Sequence, residues 1–459
     1  MHRIFVSVIL ISSLLVIGNT TFAQKKVVGY YVYSYKYVYP ENKIEFGNLT
    51  HINHSFIWPN KDGSLAVPDG FLDPQLISNA HNAGVKVLVS LGSADSTSIK
   101  NFAMMSADST ARAAFINNLL LFIQQNGYDG VDFDWEFPAN AIEKNQYTLL
   151  IKELKTAASQ TFPNLLVTIA ASPGDWFGRY FDFENMTQYL DWINVMGYNF
   201  HGSWTQHSGH NAPLYTNPAD PDKPVPGSDD DGVKYLSVTR KVPKNKLVLG
   251  LPFYGKQFNA SGLFAVQSGA VYDLIYNPDI ATKLNDINWK YNWDDVSKVP
   301  YLVAAANSKF ITFDDTASVK YKCDYVKANG LAGVMIWALG YDYSGSESPL
   351  LRAIGKSLIL SAVAKGDEYK IPEDFKLYDN YPNPFNPSTH IRFELPKGGH
   401  VKIIVFDALG REVKVLIDQF MNAGNHETLF DASHLNSGVY FYCMQSQNFI
   451  QGKKMILIK

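Results

Sequence analysis

Eight apolar, β-branched runs recur between residues 27 and 337, near 27–33, 51–56, 85–91, 130–135, 165–171, 192–198, 246–251 and 331–337. Between several of them lie amphipathic segments, such as 111–125 and 143–159, with apolar residues three and four apart. Near-continuous apolar runs are what a parallel sheet needs when both its faces are covered. Strands of that kind alternating with helices close on themselves, so the expected fold is α/β, a (β/α)8 TIM barrel.

The seventh and eighth runs stand much farther apart than one crossover helix requires. The gap holds Tyr272, Trp289, Tyr291, Trp293, Pro300-Tyr301 and Phe310–Phe313, which read as short strands and turns. A small α+β insertion over about 256–313 is expected at the rim of the barrel mouth, where loops following strands emerge. Beyond residue 360, Ala364-Lys365-Gly366-Asp367-Glu368 reads as linker and Tyr381-Pro382-Asn383-Pro384-Phe385-Asn386-Pro387 as a rigid turn. Short alternating runs follow at 389–394, 401–407, 413–417, 426–430, 438–445 and 454–458, the pattern of an all-β sandwich. This module has no clustered acids or histidines, so no catalysis is expected from it.

The N-terminus begins Met1-His2-Arg3, runs apolar from Ile4 to Ile17 and reaches Thr21-Phe22-Ala23. A basic start, an apolar centre and small residues at −3 and −1 describe a secretory signal peptide over 1–23; the alternative is a membrane anchor, for which the run is short. The expected organisation is therefore signal peptide 1–23, catalytic barrel 24–362, linker 363–376 and β-sandwich 377–459. A charge of −3 over 459 residues gives no electrostatic footprint for nucleic acid or an anionic membrane. Neither nucleic acid nor stable membrane insertion is expected, and the chain is read as a monomer. Cys323 and Cys443 fall in different domains, so no disulfide framework is expected. His201, His207 and His210 are poorly spaced for a metal and suit loop hydrogen bonding.

The fourth run carries the chemistry. In Asp129-Gly130-Val131-Asp132-Phe133-Asp134-Trp135-Glu136, three acids alternate with apolar residues. A strand sends alternate side chains to one face, so the carboxylates line up together while Val131, Phe133 and Trp135 pack behind them. Burial and like charge raise carboxyl pKa values, which supplies a proton donor near neutral pH. The competing readings are a solvated acidic edge and a hard-cation site; calcium loops, however, draw their oxygens from turns.

Asp129–Glu136 resembles the DxxDxDxE signature of glycoside hydrolase family 18, which includes many chitinases. Ser90-Leu91-Gly92-Ser93 resembles the family's SxGG strand end, with Ser93 in place of the second glycine. Met196-Gly197-Tyr198-Asn199 is similar to its MxYD motif, with Asn199 in place of aspartate. Ser208–Tyr215, Gly250–Gly255, Phe313-Asp314-Asp315 and Gly333–Trp337 follow in family order, and the insertion resembles the extra domain of one chitinase subgroup. The C-terminal module resembles the type A sorting domain of the type IX secretion system, through Tyr381–Thr389, Asp407–Arg411, Ser437–Tyr442 and Lys453-Lys454-Met455. Its competing reading is a carbohydrate-binding sandwich.

The resemblance implies an exported, retaining chitinase that cleaves β-1,4 links between N-acetylglucosamine units, using no cofactor and no metal. Glu136 would be the general acid/base, and the substrate's own acetamido oxygen the nucleophile. Asp134 would hold the acetamido N–H, Asp132 would sit deeper and share a proton with Asp134, and Tyr198 would donate to the acetamido oxygen. Trp337 would floor the distorted sugar; Asn199, Met196, Tyr254, Tyr30 and Phe56 would line its site. Trp135, by alternation, would pack against helices. The implied partners are chitin or chitooligosaccharides and the secretion machinery, with export through the periplasm of a Gram-negative bacterium. An endo-β-N-acetylglucosaminidase acting on glycoproteins and a non-catalytic chitin-binding lectin are the alternatives.

Overall fold

Eight short parallel strands, largely buried on both faces, set the architecture: β1 (Lys26–Val32), β2 (His51–Pro59), β3 (Lys86–Ser93), β4 (Gly130–Trp135), β5 (Leu166–Ala171), β6 (Trp192–Val195), β7 (Leu247–Pro252) and β8 (Gly333–Trp337). The computed structural model describes residues 24–93, 95–306, 308–360, 374–396, 399–421, 424–446 and 449–459. The expected signal peptide lies outside the described residues, as does most of the expected linker. Each strand pairs with its sequence neighbours, and β1 pairs with both β2 and β8, so the sheet closes. Closure removes every edge, and β4 and β8 face each other across the barrel.

Alternation sorts the strand residues into two cores. Val131, Phe133 and Trp135 of β4 join the outer core between sheet and helices, with Val87, Val89, Ile169 and Ile193. The barrel interior holds Val28, Tyr30, Leu88, Trp192, Met196, Val248 and Met335, together with the polar Asp132 and Asp134 on the inward face of β4. Trp135 is 1% exposed and sits between a stacked Phe102 and an edge-on Tyr147, both on helices. Its predicted packing is what the structure has.

The helices on either side of β4 are capped by their own sequence. Asp108 accepts from Ala111 N to open Ser109–Asn126, and Gly127 closes it at φ 74°. Asn140 accepts from the N–H groups of Ile142 and Glu143 to open Ala141–Thr161 directly after the acidic strand. β6 is shorter than its apolar run suggested: it ends at Val195, before Tyr198, because the chain turns through Gly197 and through Asn199 at φ 63°.

Strands Tyr254–Phe258, Tyr272–Ile275, Trp289–Asp294, Val299–Ala304 and Phe310–Thr312 form an antiparallel sheet between β7 and β8. Its first strand follows β7 after a single residue, Phe253, so this sheet grows directly from the barrel mouth. The chain divides into one unit up to residue 362 and a second from 363. In the second unit, Lys376–Leu377, Ser388–Leu395 and Gly424–Asp431 form one sheet; Gly399–Asp407, Glu412–Met421, Gly438–Ser446 and Phe449–Leu457 form another. Both are antiparallel, and they enclose a core with Phe385, Ile391, Phe393, Ile403, Val405 and Tyr442. Among the described residues no helix is long and apolar enough to cross a membrane.

Candidate active site

The three acids of β4 rise through the barrel by two residues at a time, and their surroundings change with depth. Asp132 is wholly buried, Asp134 is 5% exposed, and Glu136 is half-buried just past the strand end. Asp132 lies beside Ser90 of β3 and Thr168 of β5 in the sheet register. Those two hydroxyls donate to it at 2.8 and 2.5 Å, joined by Tyr30 Oη at 2.7 Å and Asn194 Nδ2 at 3.0 Å. Trp192 Nε1 in turn donates to Asn194 Oδ1 and fixes that amide. Burial pushes the Asp132 carboxyl up, and these donors oppose the rise.

Asp134 is the contrasting case. Its Oδ1 is buried and has no hydrogen-bond partner. Burial, then the charges of Glu136 and Asp132, push its carboxyl well above the carboxylate range. The expected proton sharing between Asp132 and Asp134 has no hydrogen bond behind it here, because four donors already occupy Asp132. Glu136 is pushed up to about 7 by burial, so its acid form is well populated at neutral pH.

Gly92 of β3 lies beside Asp134 in register. A Cβ there would come within 2.2 Å of the Asp134 carbonyl oxygen, so the glycine lets β3 approach the acid-bearing strand.

Asp134 and Glu136 open into a cavity of about 1060 Å³ that Tyr30, Met196, Tyr198, Asn199, Tyr254 and Trp337 also line. The structure thus brings together eight of the ten residues singled out from the sequence. The remaining two lie just behind. Asp132 is beneath the floor, and Phe56 stacks on Trp337 at 5.9 Å. Tyr30 meets the same indole edge-on at 5.3 Å and Phe56 at 6.2 Å, so the three rings form one cluster from which the Trp337 side chain reaches the cavity.

Tyr198 and Tyr254 are edge-to-face at 5.9 Å. Burial first, and then neighbouring Tyr254, Asp134 and Glu136, raise the Tyr198 hydroxyl well above its usual value, so it remains a donor. Asn199 Oδ1 accepts from Tyr254 Oη at 2.8 Å, and its backbone N–H donates to Asn211 Oδ1. The amide therefore holds the left-handed turn that aims Tyr198, using a residue type that tolerates positive φ.

Each histidine of the loop after β6 meets a carboxylate: His201 with Asp220 at 2.9 Å, His207 with Asp222 at 2.8 Å and His210 with Asp294 at 3.0 Å. Among the described residues, no group of three or more His, Cys, Asp or Glu could hold a metal ion.

Sequence reasoning missed Trp176, Phe177, Trp204 and Tyr341, which line the same cavity. A Cβ on Gly202 would fall 2.4 Å from the Trp204 ring, so the indole lies against that glycine while remaining 63% exposed. The Gly202-Ser203-Trp204 spacing was the available signal.

The Glycosyl hydrolases family 18 model matches residues 26–342. This chain belongs to that family. The Secretion system C-terminal sorting domain model matches 379–459, which decides between the two readings of the β-sandwich and marks a secreted or cell-surface protein. Chitinase A1 of Niallia circulans is 31% identical over 59% of this chain, and the match spans 43% of that protein's own length. Chitinase 1 of Aphanocladium album is 29% identical over 65% of this chain and 77% of its own. The crystal structure of the Ostrinia furnacalis Group IV chitinase in complex with allosamidin superposes with a TM-score of 0.67 at 27% identity, covering 75% of this chain and 100% of that one.

Proposed function

We propose that this family 18 protein is a secreted chitinase that hydrolyses β-1,4-N-acetylglucosamine linkages with retention, using the substrate's acetamido group as nucleophile. The observation that carries the reading is Asp134 Oδ1, a buried acceptor with no partner, next to a Glu136 whose acid form is well populated near neutral pH. Leaving a buried acceptor unmet costs about 1–3 kcal/mol, and an amide N–H from the bound sugar would meet it. An N-acetylated sugar supplies that group; a plain hexose does not.

Glu136 passes its proton to the glycosidic oxygen as the acetamido carbonyl oxygen closes on the anomeric carbon and the leaving sugar departs. The positive charge of the resulting oxazolinium ion lies against Asp134, through the N–H that this carboxylate accepts. Tyr198 donates to the acetamido oxygen and holds it beneath the ring. Water then attacks the anomeric carbon, gives its proton back to Glu136 and reopens the ring with net retention. Asp132, held by four donors, is the fixed base of the ladder; its charge opposes ionisation of Asp134, and the oxazolinium cation offsets that cost during the step. Trp337 is the floor under the sugar, with Tyr30 and Phe56 as its brace, while Met196, Asn199 and Tyr254 complete the wall. The C-terminal unit engages the type IX secretion machinery during export.

The test is incubation with chitin oligomers and with a high-mannose glycoprotein. Short oligomers should be released from the first, and Glu136→Gln should lower that rate by about 10²–10⁴-fold, the usual contribution of general acid–base catalysis. Glycan release from the glycoprotein alone would instead establish an endo-β-N-acetylglucosaminidase, and binding without products a lectin.

A further inference from the structure

The turn that carries Tyr198 is backed by a buried acid that the reaction itself does not touch. Beyond Val195 the chain leaves the sheet, and the N–H groups of Gly197 and Tyr198 donate to the carbonyl oxygens of Val195 and Met196, two residues back. Bonds that local bend the chain without anchoring it, so the tyrosine is placed by what packs behind the turn. A Cβ on Gly250 of β7 would fall 3.0 Å from Tyr198 Cε1 and 2.4 Å from the Val195 carbonyl oxygen, so the ring rests on β7 backbone. A Cβ on Gly197 would fall 2.3 Å from Asp229 Oδ1. The glycine hydrogen in that direction points at the carboxylate, the geometry of a weak Cα–H···O contact.

Asp229 opens the short helix Asp229–Lys234 and is 1% exposed. Among the described residues neither of its side-chain oxygens has a hydrogen-bond partner. Lys322 Nζ lies 3.6 Å from Oδ2, but only 2.8 Å from Asp314, which also accepts from Ser318 Oγ. A buried carboxylate without hydrogen bonds costs stability. Lys322 and Asp314 already make the close pair, so Asp229 adds a cost that stability alone does not call for. Groups of that kind are kept where their position is used. Asp229, Lys322 and Asp314 do not line the cavity, so any effect of Asp229 on the reaction passes through the turn.

We infer that Asp229, steadied by Lys322, is a positioning residue for Tyr198, its carboxylate being the backstop that fixes the turn and with it the reach of the Tyr198 hydroxyl. The inference rests on the reading in which that hydroxyl holds the substrate's acetamido oxygen. With the backstop gone, Gly197 shifts and the hydroxyl moves off the acetamido oxygen, while the wall that binds the sugars stays in place. The loss then falls on kcat and spares KM.

The experiment is a double-mutant cycle on chitohexaose hydrolysis with wild type, Asp229→Asn, Tyr198→Phe and the two changes combined, each protein also followed by thermal unfolding. Asp229→Asn keeps the shape but drops the charge that Lys322 holds, and should lower kcat about tenfold with KM within about twofold. In the Tyr198→Phe background the same change should alter kcat by less than about twofold, because the hydroxyl it positions is absent. Asp314→Asn breaks the shorter ion pair yet leaves Lys322 to Asp229, so it should lower the unfolding temperature while keeping kcat within about twofold. Asp229→Ser, which draws the oxygen back from Gly197, carries the cycle should the asparagine variant fold poorly. Losses that add in the combined variant, an unchanged kcat in Asp229→Asn, or an equal loss in Asp314→Asn would overturn the positioning role while leaving the chitinase reading intact. A wild-type protein inactive on chitohexaose would remove both together.

Discussion

Glu136 owes its proton to its place on the depth gradient of β4. A strand two residues shorter would leave it in water; one two residues longer would bury it beside the pinned Asp132. Because burial sets its carboxyl at about 7, the acid form is lost as pH rises through that value. The kcat/KM on chitin oligomers should therefore fall above about pH 7, approaching tenfold per pH unit. Asn199→Asp adds an anion to the same cavity, opposes ionisation of Glu136 and should move this alkaline limb to higher pH. An unmoved limb would remove the electrostatic role given to this position. Asp134 and Asp132 show how identical side chains on one face acquire different states: one lacks a partner for its buried oxygen and the other has four.

At the scale of elements, the helix Thr316–Ala328 is locked to the barrel by a buried charge cluster. Lys322 is wholly buried, 2.8 Å from Asp314 and 3.6 Å from Asp229. Ser318 Oγ adds a hydrogen bond to Asp314 at 2.7 Å, while Asp229 Oδ1 would lie 2.3 Å from a Cβ placed on Gly197. The cluster thus backs the turn that carries Tyr198. Lys322→Met removes the cation that pairs with these two carboxylates among the described residues and should cost about 3–5 kcal/mol, measured by denaturant unfolding. A loss below about 1 kcal/mol would mean that the acids simply take up protons and the cation is dispensable. The cluster was partly legible: Phe313-Asp314-Asp315 stood out as a motif, but no local rule places Lys322 eight residues on against it in a buried pair.

On the scale of the whole molecule, the two units have separate cores, the first built around the barrel and the second around its own β-sandwich. A chain ending at residue 362 should therefore keep kcat/KM on soluble oligomers within about twofold, since the described residues that line the cavity belong to the first unit. The same truncation should abolish export, checked by fractionating cells for the enzyme; a tenfold loss of activity in vitro would contradict the separation of roles. The sequence by itself determined the eight strands, the inward face of β4 and the module that follows, because apolar periodicity and alternation are local properties of the chain. Eight of the ten site residues lie in motifs on or just beyond those strands, and Tyr30 and Phe56 lie on β1 and β2 themselves. Only the tertiary structure decided that Asp132 is saturated by donors from β1, β3, β5 and β6 while Asp134 Oδ1 is left without one. It likewise brought Trp176, Phe177 and Trp204 into one cavity with Glu136. Those facts depend on which strands and loops meet when the barrel closes, and closure is a contact between distant residues that no local pattern encodes.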